Sequence, residues 1–138
     1  TDLRGFVARI RPAFLLLQTA FCAGVTSAAI CGAKSARGEL AGQFATELVE
    51  LTQRNRILRD RLYAFAAAPS EPSTAELLRL RLDAAGLAGQ ASRLEVTMAG
   101  GAGYALGTSA NRRFREAAFL PIQSPSEGQL RWELTQYE

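Results

Sequence analysis

The sequence contains no histidine, and its 138 residues include only two cysteines, one lysine and one methionine. Without an imidazole, the chain cannot build a Ser-His-Asp triad, a Cys-His pair or a histidine-containing metal site. Two thiols are also too few for a tetrahedral thiolate site. We therefore expect no metal site, and any proton transfer would depend on carboxylates or on a cofactor.

The two cysteines, Cys22 and Cys31, lie nine residues apart in a stretch that is predicted to form one helix. This spacing places them on opposite faces and about 13 Å apart along the axis, so they cannot form a disulfide with each other. The sequence predicts two buried thiols in a reducing compartment, and therefore a cytoplasmic protein.

The charge is mildly basic, with a net charge of +3 and a pI of about 9.3. The arginines are scattered and alternate with carboxylates, which argues against a nucleic-acid-binding face. The densest group consists of Arg54, Arg56, Arg59 and Arg61, with Glu50 to Arg54 and Arg56 to Asp60 at the i, i+4 spacing of helix ion pairs. A solvated, ion-paired helix face is the favoured interpretation, and an anion-binding patch is the alternative.

No charged residue occurs from position 12 to 33, and basic residues flank this run. This is the outline of a membrane span or a signal sequence. The run also contains Gln18, Thr19, Thr26 and Ser27, and many small residues, so its hydropathy is low for a span. We predict a mostly buried helix that begins at Pro12, with no membrane span. Its apolar stripe comprises Phe14, Leu17, Phe21, Val25 and Ala28.

Two further long helices are predicted from apolar residues at alternating spacings of three and four. The segment 39–67 has Phe44, Leu48, Leu51, Asn55, Leu58, Leu62 and Phe65 in one stripe. The segment 73–98 has Leu77, Leu80, Ala84, Leu87, Ala91, Leu94 and Met98 in one stripe, and Leu78, Leu82 and Ala85 in a second. A helix with two stripes is expected to be covered on two sides, as an inner bundle helix is.

The connections and the C-terminal part complete an all-α prediction. The link 69–73 ends in a capping box between Ser73 and Glu76, and a second capping box is predicted between Ser124 and Glu127, with Pro125 at the first helical position. A glycine-rich turn follows the third helix, and a short helix passes through Phe114. We predict one domain, 1–138, that forms an antiparallel four-helix-type bundle with additional short C-terminal helices.

Two places offer chemistry. The glycine segment 100–103 lies between helices and lacks the spacing of a Rossmann or P-loop motif, so by itself it indicates a turn. The start of the last helix, at 124–127, presents N–H groups that suit an anion, although its composition indicates only a helix start.

The order of these features is similar to a known family. It is carried by Gly100-Gly101-Ala102-Gly103-Tyr104, by Arg112, by Arg115-Glu116-Ala117, and by the segment 124–131. This pattern resembles the C-terminal helical domain of the acyl-CoA dehydrogenase family. Members of that family have, in addition, an N-terminal helical domain and a middle β domain. By this resemblance the chain looks like the C-terminal third of such a protein, or like a protein built from that bundle alone.

The resemblance implies an FAD site and a role in fatty acid metabolism. FAD contacts would fall on the backbone at Gly100 and Gly101, on the turn at Ser126 and on Arg37. In the family, the glycines usually meet the flavin of a neighbouring subunit. Ser124 stands where many members have the glutamate base, and a serine cannot abstract the α proton of the substrate without a base. No catalytic residue is therefore assigned, and we expect the chain alone to be inactive.

Two functions follow as hypotheses. The first is the C-terminal bundle of an FAD-dependent, acyl-CoA dehydrogenase-like oxidoreductase, which contributes to flavin binding and subunit assembly, with an acyl-CoA as the expected substrate. The alternative is a non-catalytic helical module for oligomerisation or scaffolding. In either case we expect a homo-oligomer, a dimer or a dimer of dimers, and the first hypothesis also allows a partner chain that carries the missing domains.

Overall fold

A computed structural model describes residues 2–36 and 38–137, and this part of the chain is all-helical, without a strand. The five α-helices are α1 (Leu3–Lys34), α2 (Ala45–Ala67), α3 (Thr74–Tyr104), α4 (Ser109–Phe119) and α5 (Glu127–Leu134). Short 3-10 helices precede α2, at Ala41–Phe44, and follow α5, at Thr135–Tyr137. The predicted all-α class is confirmed.

Helix α3 lies at the centre of the domain and packs against each of the other four α-helices. Both of its predicted stripes are covered, since Leu77, Leu80, Leu78 and Ala85 are buried. It begins with the predicted capping box, in which the Ser73 hydroxyl and the Glu76 carboxylate each accept from the backbone N–H of the other. One apolar cluster joins side chains from all five α-helices.

Helix α2 presents the predicted stripe to this core. Leu51, Asn55, Leu58 and Leu62 are buried, and the end members of the stripe, Phe44, Leu48 and Phe65, are partly buried against the same cluster. The 4-3 spacing therefore identified the inner face of α2 correctly, including its one polar member.

Helix α1 differs from its prediction in its start. It begins at Leu3 and not at Pro12, because the Asp2 side chain caps it by accepting from the Gly5 N–H at 2.9 Å. Pro12 lies inside the helix, where it removes one backbone donor without ending the helix.

The buried face of α1 is also not the predicted one. Phe14, Leu17 and Phe21 are 47%, 58% and 56% exposed. The side turned to the core instead carries Leu15, Leu16, Gln18, Thr19, Cys22, Ala23 and Thr26. Burial of the two threonines is tolerated because each hydroxyl donates to the carbonyl four residues earlier. Small and hydroxylated side chains also let α1 approach α3 closely.

The exposed face of α1 bears on two further predictions. Helix α1 is long and apolar enough to cross a membrane by length and composition, and half of its most apolar window is buried inside the domain. The absence of a membrane span stays a prediction.

The prediction of two buried thiols is wrong for Cys31, which is exposed, while Cys22 is buried.

The C-terminal elements differ from the prediction in two details. The glycine segment belongs to the last turns of α3, which is interrupted only at Gly100, where φ is 66°. Helix α5 is capped by Ser126, so the capping box between Ser124 and Glu127 is wrong and Pro125 precedes the helix. The Ser126 hydroxyl accepts from the Gln129 N–H, three residues later. Ser126, and not Ser124, is therefore the N-cap residue of α5.

Candidate functional site

Ser124 lies in a groove between α1 and the turn that precedes α5. We call this the α1–α5 groove: it has a volume of about 250 Å³ and is lined by Val7, Ile10, Arg11, Phe14, Ser124, Pro125 and Gln129. Three apolar side chains of α1 thus form one wall, and the turn forms the other. No carboxylate lines this groove among the residues that the structure describes.

Two buried polar side chains hold the turn that carries Ser124. Gln18 of α1 donates from Nε2 to the Ser124 carbonyl at 2.7 Å, and Arg81 of α3 donates from Nη2 to the Leu120 carbonyl at 2.9 Å. Turn carbonyls have no partner within a helix, so these two bonds supply the partners that burial requires. The position of Ser124 is therefore determined by side chains from two other helices.

Arg81 is an unusual residue because its side chain is buried without a carboxylate partner. It is 1% exposed, its Nη1 lies 3.4 Å from the Cys22 sulfur, and its Nε has no partner in the described structure. Burial raises the pKa of the Cys22 thiol, and the positive charge of Arg81 offsets this only in part. The thiol is therefore neutral near pH 7, and Arg81 is held by neutral groups.

Sequence analysis missed Arg81 and Gln18, although one signal for Arg81 was present. Arg81 lies four residues after Leu77 and three before Ala84, so it interrupts an apolar face of α3. A cation at such a position must find buried acceptors or leave the core.

A second polar network lies at the edge of the groove. Arg11 of α1 forms an ion pair and hydrogen bond with Glu133 of α5, and Gln129 donates to the same carboxylate at 3.2 Å. The carboxylate of Glu133 thus has two partners, Arg11 and Gln129. This network ties α5 to α1 beside Ser124.

The glycine segment leaves backbone accessible at the end of α3. Gly100 and Gly101 are exposed, and apart from the adjacent residues and the backbone of α3 itself no described atom lies within 4 Å of the place where a Cβ would stand at either residue. Gly103 is different, because a Cβ there would approach Ala99 Cβ to 2.3 Å. The segment thus combines one glycine that packing requires with two that keep the backbone open.

The same end of the domain is held by a buried ion pair that sequence analysis also missed. Arg113 of α4 donates to Glu95 of α3, from Nε at 2.8 Å and also from Nη2. Hydrogen bonding to Glu95 is the main cause that raises the pKa of Arg113. At Gly32 of α1, a Cβ would come within 1.9 Å of a Glu95 carboxylate oxygen, so glycine makes room for the pair.

The other residues that carry the family resemblance have hydrogen-bond or ion-pair partners within the domain. Arg115 donates to the Asn111 side chain at 3.0 Å, and Arg112 lies 3.6 Å from Glu116 at the surface. The Ser126 hydroxyl serves as the cap of α5. Arg37, the predicted contact for the FAD pyrophosphate, lies outside the described residues.

The two parts of the predicted flavin site lie far apart. Arg81, which contacts Leu120 in the turn before α5, precedes Gly100 by 19 residues on α3. At a rise of 1.5 Å per residue this is a separation of roughly 28 Å along α3. The glycines and the Ser126 turn of one chain are therefore not brought together into one site.

No family model, curated protein or solved structure matches the chain. No group of three or more His, Cys, Asp or Glu side chains is placed to hold a metal ion in residues 2–36 and 38–137.

Proposed function

We propose that this chain is the helical bundle of an FAD-dependent, acyl-CoA dehydrogenase-like protein, and that it contributes to flavin binding and subunit assembly. The observation that carries the proposal is the apolar face of α1. This face leads directly into the α1–α5 groove at Ser124 and is left about half exposed by the other residues that the structure describes.

The contacts between the long helices support the antiparallel bundle that the proposal requires. Asn55 of α2 meets Ser27 of α1, whereas Leu62 and Tyr63 share a groove with Leu16 and Leu17, so these helices run in opposite directions. Helices α1 and α3 run in the same direction, since Cys22 meets Arg81 and Gly32 meets Glu95. An up-down-up order of this kind is typical of helical bundles.

The α1 apolar face supports the role in assembly. It consists of Leu3, Phe6, Val7, Ile10, Phe14, Leu17 and Phe21, each between 44% and 68% exposed. Covering a half-exposed side chain of this size contributes about 1 kcal/mol, so the seven together provide a substantial driving force for association. We expect this face to pack against a second copy or against a β domain, in further sequence or in a partner chain.

The residues at Gly100 and Gly101 fit one wall of a flavin site. Their exposed backbone lets a ligand approach closely, and no side chain of the described structure faces them. FAD, when bound, supplies an acceptor for the hydride that leaves an acyl-CoA. Gly100 lies roughly 28 Å along α3 from Arg81, which holds the turn before α5, and this separation suits a chain that contributes to two different flavins in an oligomer.

The groove residues have structural tasks in this proposal. Val7, Ile10 and Phe14 join the groove to the α1 apolar face, while Gln18 and Arg81 fix the turn. Ser124 presents a hydroxyl where many members of the family present a carboxylate, and a hydroxyl does not remove an α proton at a useful rate. The chain by itself is therefore proposed to be inactive.

A non-catalytic oligomerisation or scaffolding module is the second candidate. It is favoured by one observation, the absence of any carboxylate lining the α1–α5 groove in the described structure. In this case the α1 apolar face would serve assembly alone, and the glycine segment would serve only to end α3.

The role in assembly is tested by sedimentation of the chain at micromolar concentration. We expect a dimer or a dimer of dimers for the unchanged chain, and a monomer for the variant Phe14→Ser with Phe21→Ser. The matched control is Val49→Ser with Ile57→Ser, which replaces two exposed apolar residues of α2. A stable monomer for the unchanged chain would contradict self-assembly.

The flavin proposal is tested with the full-length protein or with the bundle reconstituted with its β domain. We expect bound flavin, seen as visible absorbance, and an increase in acyl-CoA oxidation for Ser124→Glu, because general-base catalysis contributes about 10²- to 10⁴-fold. Ser70→Glu, which places the same charge on an exposed link, is the control. A colourless protein would favour the scaffolding module, and activity of the isolated chain with added FAD would contradict the assignment of Ser124.

A further inference from the structure

Six members of the α1 apolar face follow one another at a spacing that reads the same from either end. The successive intervals are 4, 3, 4, 3 and 4 residues, and the six, which we call the α1 seam, are Leu3, Val7, Ile10, Phe14, Leu17 and Phe21. Alternating intervals of four and three residues form the line along which one helix packs against another in a coiled coil. The described residues of the domain leave each of the six at least 44% exposed, so the seam faces away from the core.

The sizes of these side chains fit an antiparallel partner with the same sequence. A two-fold axis at the level of residue 12 places Ile10 of one copy against Phe14 of the other. The same axis places Val7 against Leu17 and Leu3 against Phe21, so every contact joins a larger side chain to a smaller one. A parallel pair would instead place each phenylalanine of the seam against its own counterpart.

The area of the α1 apolar face is sufficient for a stable dimer. Side chains of this size that are half exposed leave roughly 100 Å² each outside the domain, and the face has seven of them. Two copies that cover each other would therefore bury roughly 1,400 Å², within the range of about 1,200 to 2,000 Å² that specific interfaces bury.

The charge on α1 also favours the antiparallel order. The helix has no carboxylate from Leu3 to Lys34, and three of its cations, Arg4, Arg9 and Arg11, lie within its first nine residues. A parallel pair would bring both sets of arginines to one end, where like charges repel. An antiparallel pair places the two Arg4 residues about 24 Å apart along the axis.

We propose that two copies of this chain pack through the α1 seam in antiparallel order, around a two-fold axis at the level of residue 12. This inference rests on the role in assembly proposed above, and it names a second copy as the partner because a self-complementary seam fits an identical helix. Val7, Ile10 and Phe14 also form one wall of the α1–α5 groove, so the second copy covers the open side of that groove. Both Ser124 turns then lie beside the same interface.

Two exposed alanines of α1 give a matched test of this order. Ala13 and Ala20 lie seven residues apart, so they share one side of the helix, and both line the same groove between α1 and α2. In the antiparallel pair the two copies of Ala13 lie about 3 Å apart along the axis, whereas the two copies of Ala20 lie about 24 Å apart. In a parallel pair the two positions are equivalent, because each faces its own counterpart at the same level.

The experiment compares the crosslinking of Ala13→Cys and Ala20→Cys by a short bismaleimide, each in a Cys31→Ser chain. Cys31→Ser removes the exposed thiol, and the remaining Cys22 is buried. We expect Ala13→Cys to form covalent dimers at least about tenfold faster than Ala20→Cys, because two thiols held together react at a high effective concentration. Adding Phe14→Ser should lower the rate for Ala13→Cys to that for Ala20→Cys.

Sedimentation of the unchanged chain as a monomer would overturn this inference together with the proposed self-assembly. Oligomers in which the two cysteine variants crosslink at equal rates, or in which neither crosslinks, would overturn the antiparallel seam and leave the proposed role in assembly standing. Faster crosslinking of Ala13→Cys supports the seam even where the full-length protein is colourless, which is the result that counts against flavin binding.

Discussion

Two arginines, the buried Arg81 of α3 and the mostly buried Arg113 of α4, are held in different ways. Arg113 meets the carboxylate of Glu95 and supports the end of the domain that bears the glycine segment. Arg81 meets only a sulfur and a carbonyl, and supports the turn that carries Ser124. The first is a neutralised pair that locks three helices together, and the second is a buried charge with an unsatisfied Nε. We infer that the Ser124 end is the more adaptable of the two.

The largest effect in this comparison is expected at the ion pair. Glu95→Ala leaves the mostly buried Arg113 without its partner and should cost about 3 kcal/mol in the free energy of unfolding, which chemical denaturation would measure. The double variant Glu95→Leu with Arg113→Met should recover much of that loss, because an apolar pair needs no counter-charge. A cost below about 1 kcal/mol for Glu95→Ala would show that the ion pair does not stabilise the contact between these helices as we infer.

A smaller effect is expected at Gly32, where the ion pair needs space. Gly32→Ala should lower the free energy of unfolding by about 1 to 2 kcal/mol, since its Cβ would displace the Glu95 carboxylate. With Glu95→Ala in the background, the same change should instead stabilise by about 0.5 kcal/mol, because alanine favours a helix. A double-mutant cycle measures this change of sign, and equal effects in both backgrounds would contradict it.

Arg81→Met should cost less than Glu95→Ala, at most about 1.5 kcal/mol, because it removes an unneutralised charge together with its hydrogen bonds. Its main effect should be local. Amide hydrogen exchange in the segment 120–126 should become faster, as the Leu120 carbonyl loses its donor. A cost of 3 kcal/mol or more would show that the two arginines are equally important.

The smallest expected effect is a pH dependence at Cys22. Burial raises the pKa of this thiol in the folded chain above its ordinary value of 9.0. The unfolded chain therefore loses the proton first, so the contribution to stability is fully present below pH 9 and declines as the pH rises above it. Cys22→Ala should remove this decline, measured as the difference from the unchanged chain. The exposed Cys31→Ala is the control and should preserve it.

Much of the secondary structure could be predicted because local patterns control it. The 4-3 stripes of α2 and α3 and the capping box at Ser73 depend on spacing along one helix, and all three appear in the structure. The start of α1 was missed because Pro12 is favourable in a first turn, whereas the Asp2 cap lies further upstream. Pro12, ten positions into α1, removes one backbone donor, and the helix continues through it.

The candidate sites were harder to predict because they depend on contacts between helices. Nothing local to Arg81, Gln18 or Glu95 shows that their partners lie on other helices. The i, i+4 spacing of Arg56 with Asp60 allows an ion pair, but none forms in the described structure, because side-chain entropy and solvent make such a pair weak. The spacing of residues along a helix predicts which of them share a face, but it does not predict which face the other helices cover.

The amino-acid sequence by itself determined that this protein is helical, that it lacks imidazole chemistry, and where its two central stripes lie, because composition and helix periodicity are properties of a single segment. Only the tertiary structure decided which face of α1 is buried. That helix has a face of large apolar side chains and a face on which Leu15, Leu16 and Ile30 alternate with small and hydroxylated residues, and packing against α3 selected the second. The large side chains that remain outside form the surface on which the proposed assembly depends.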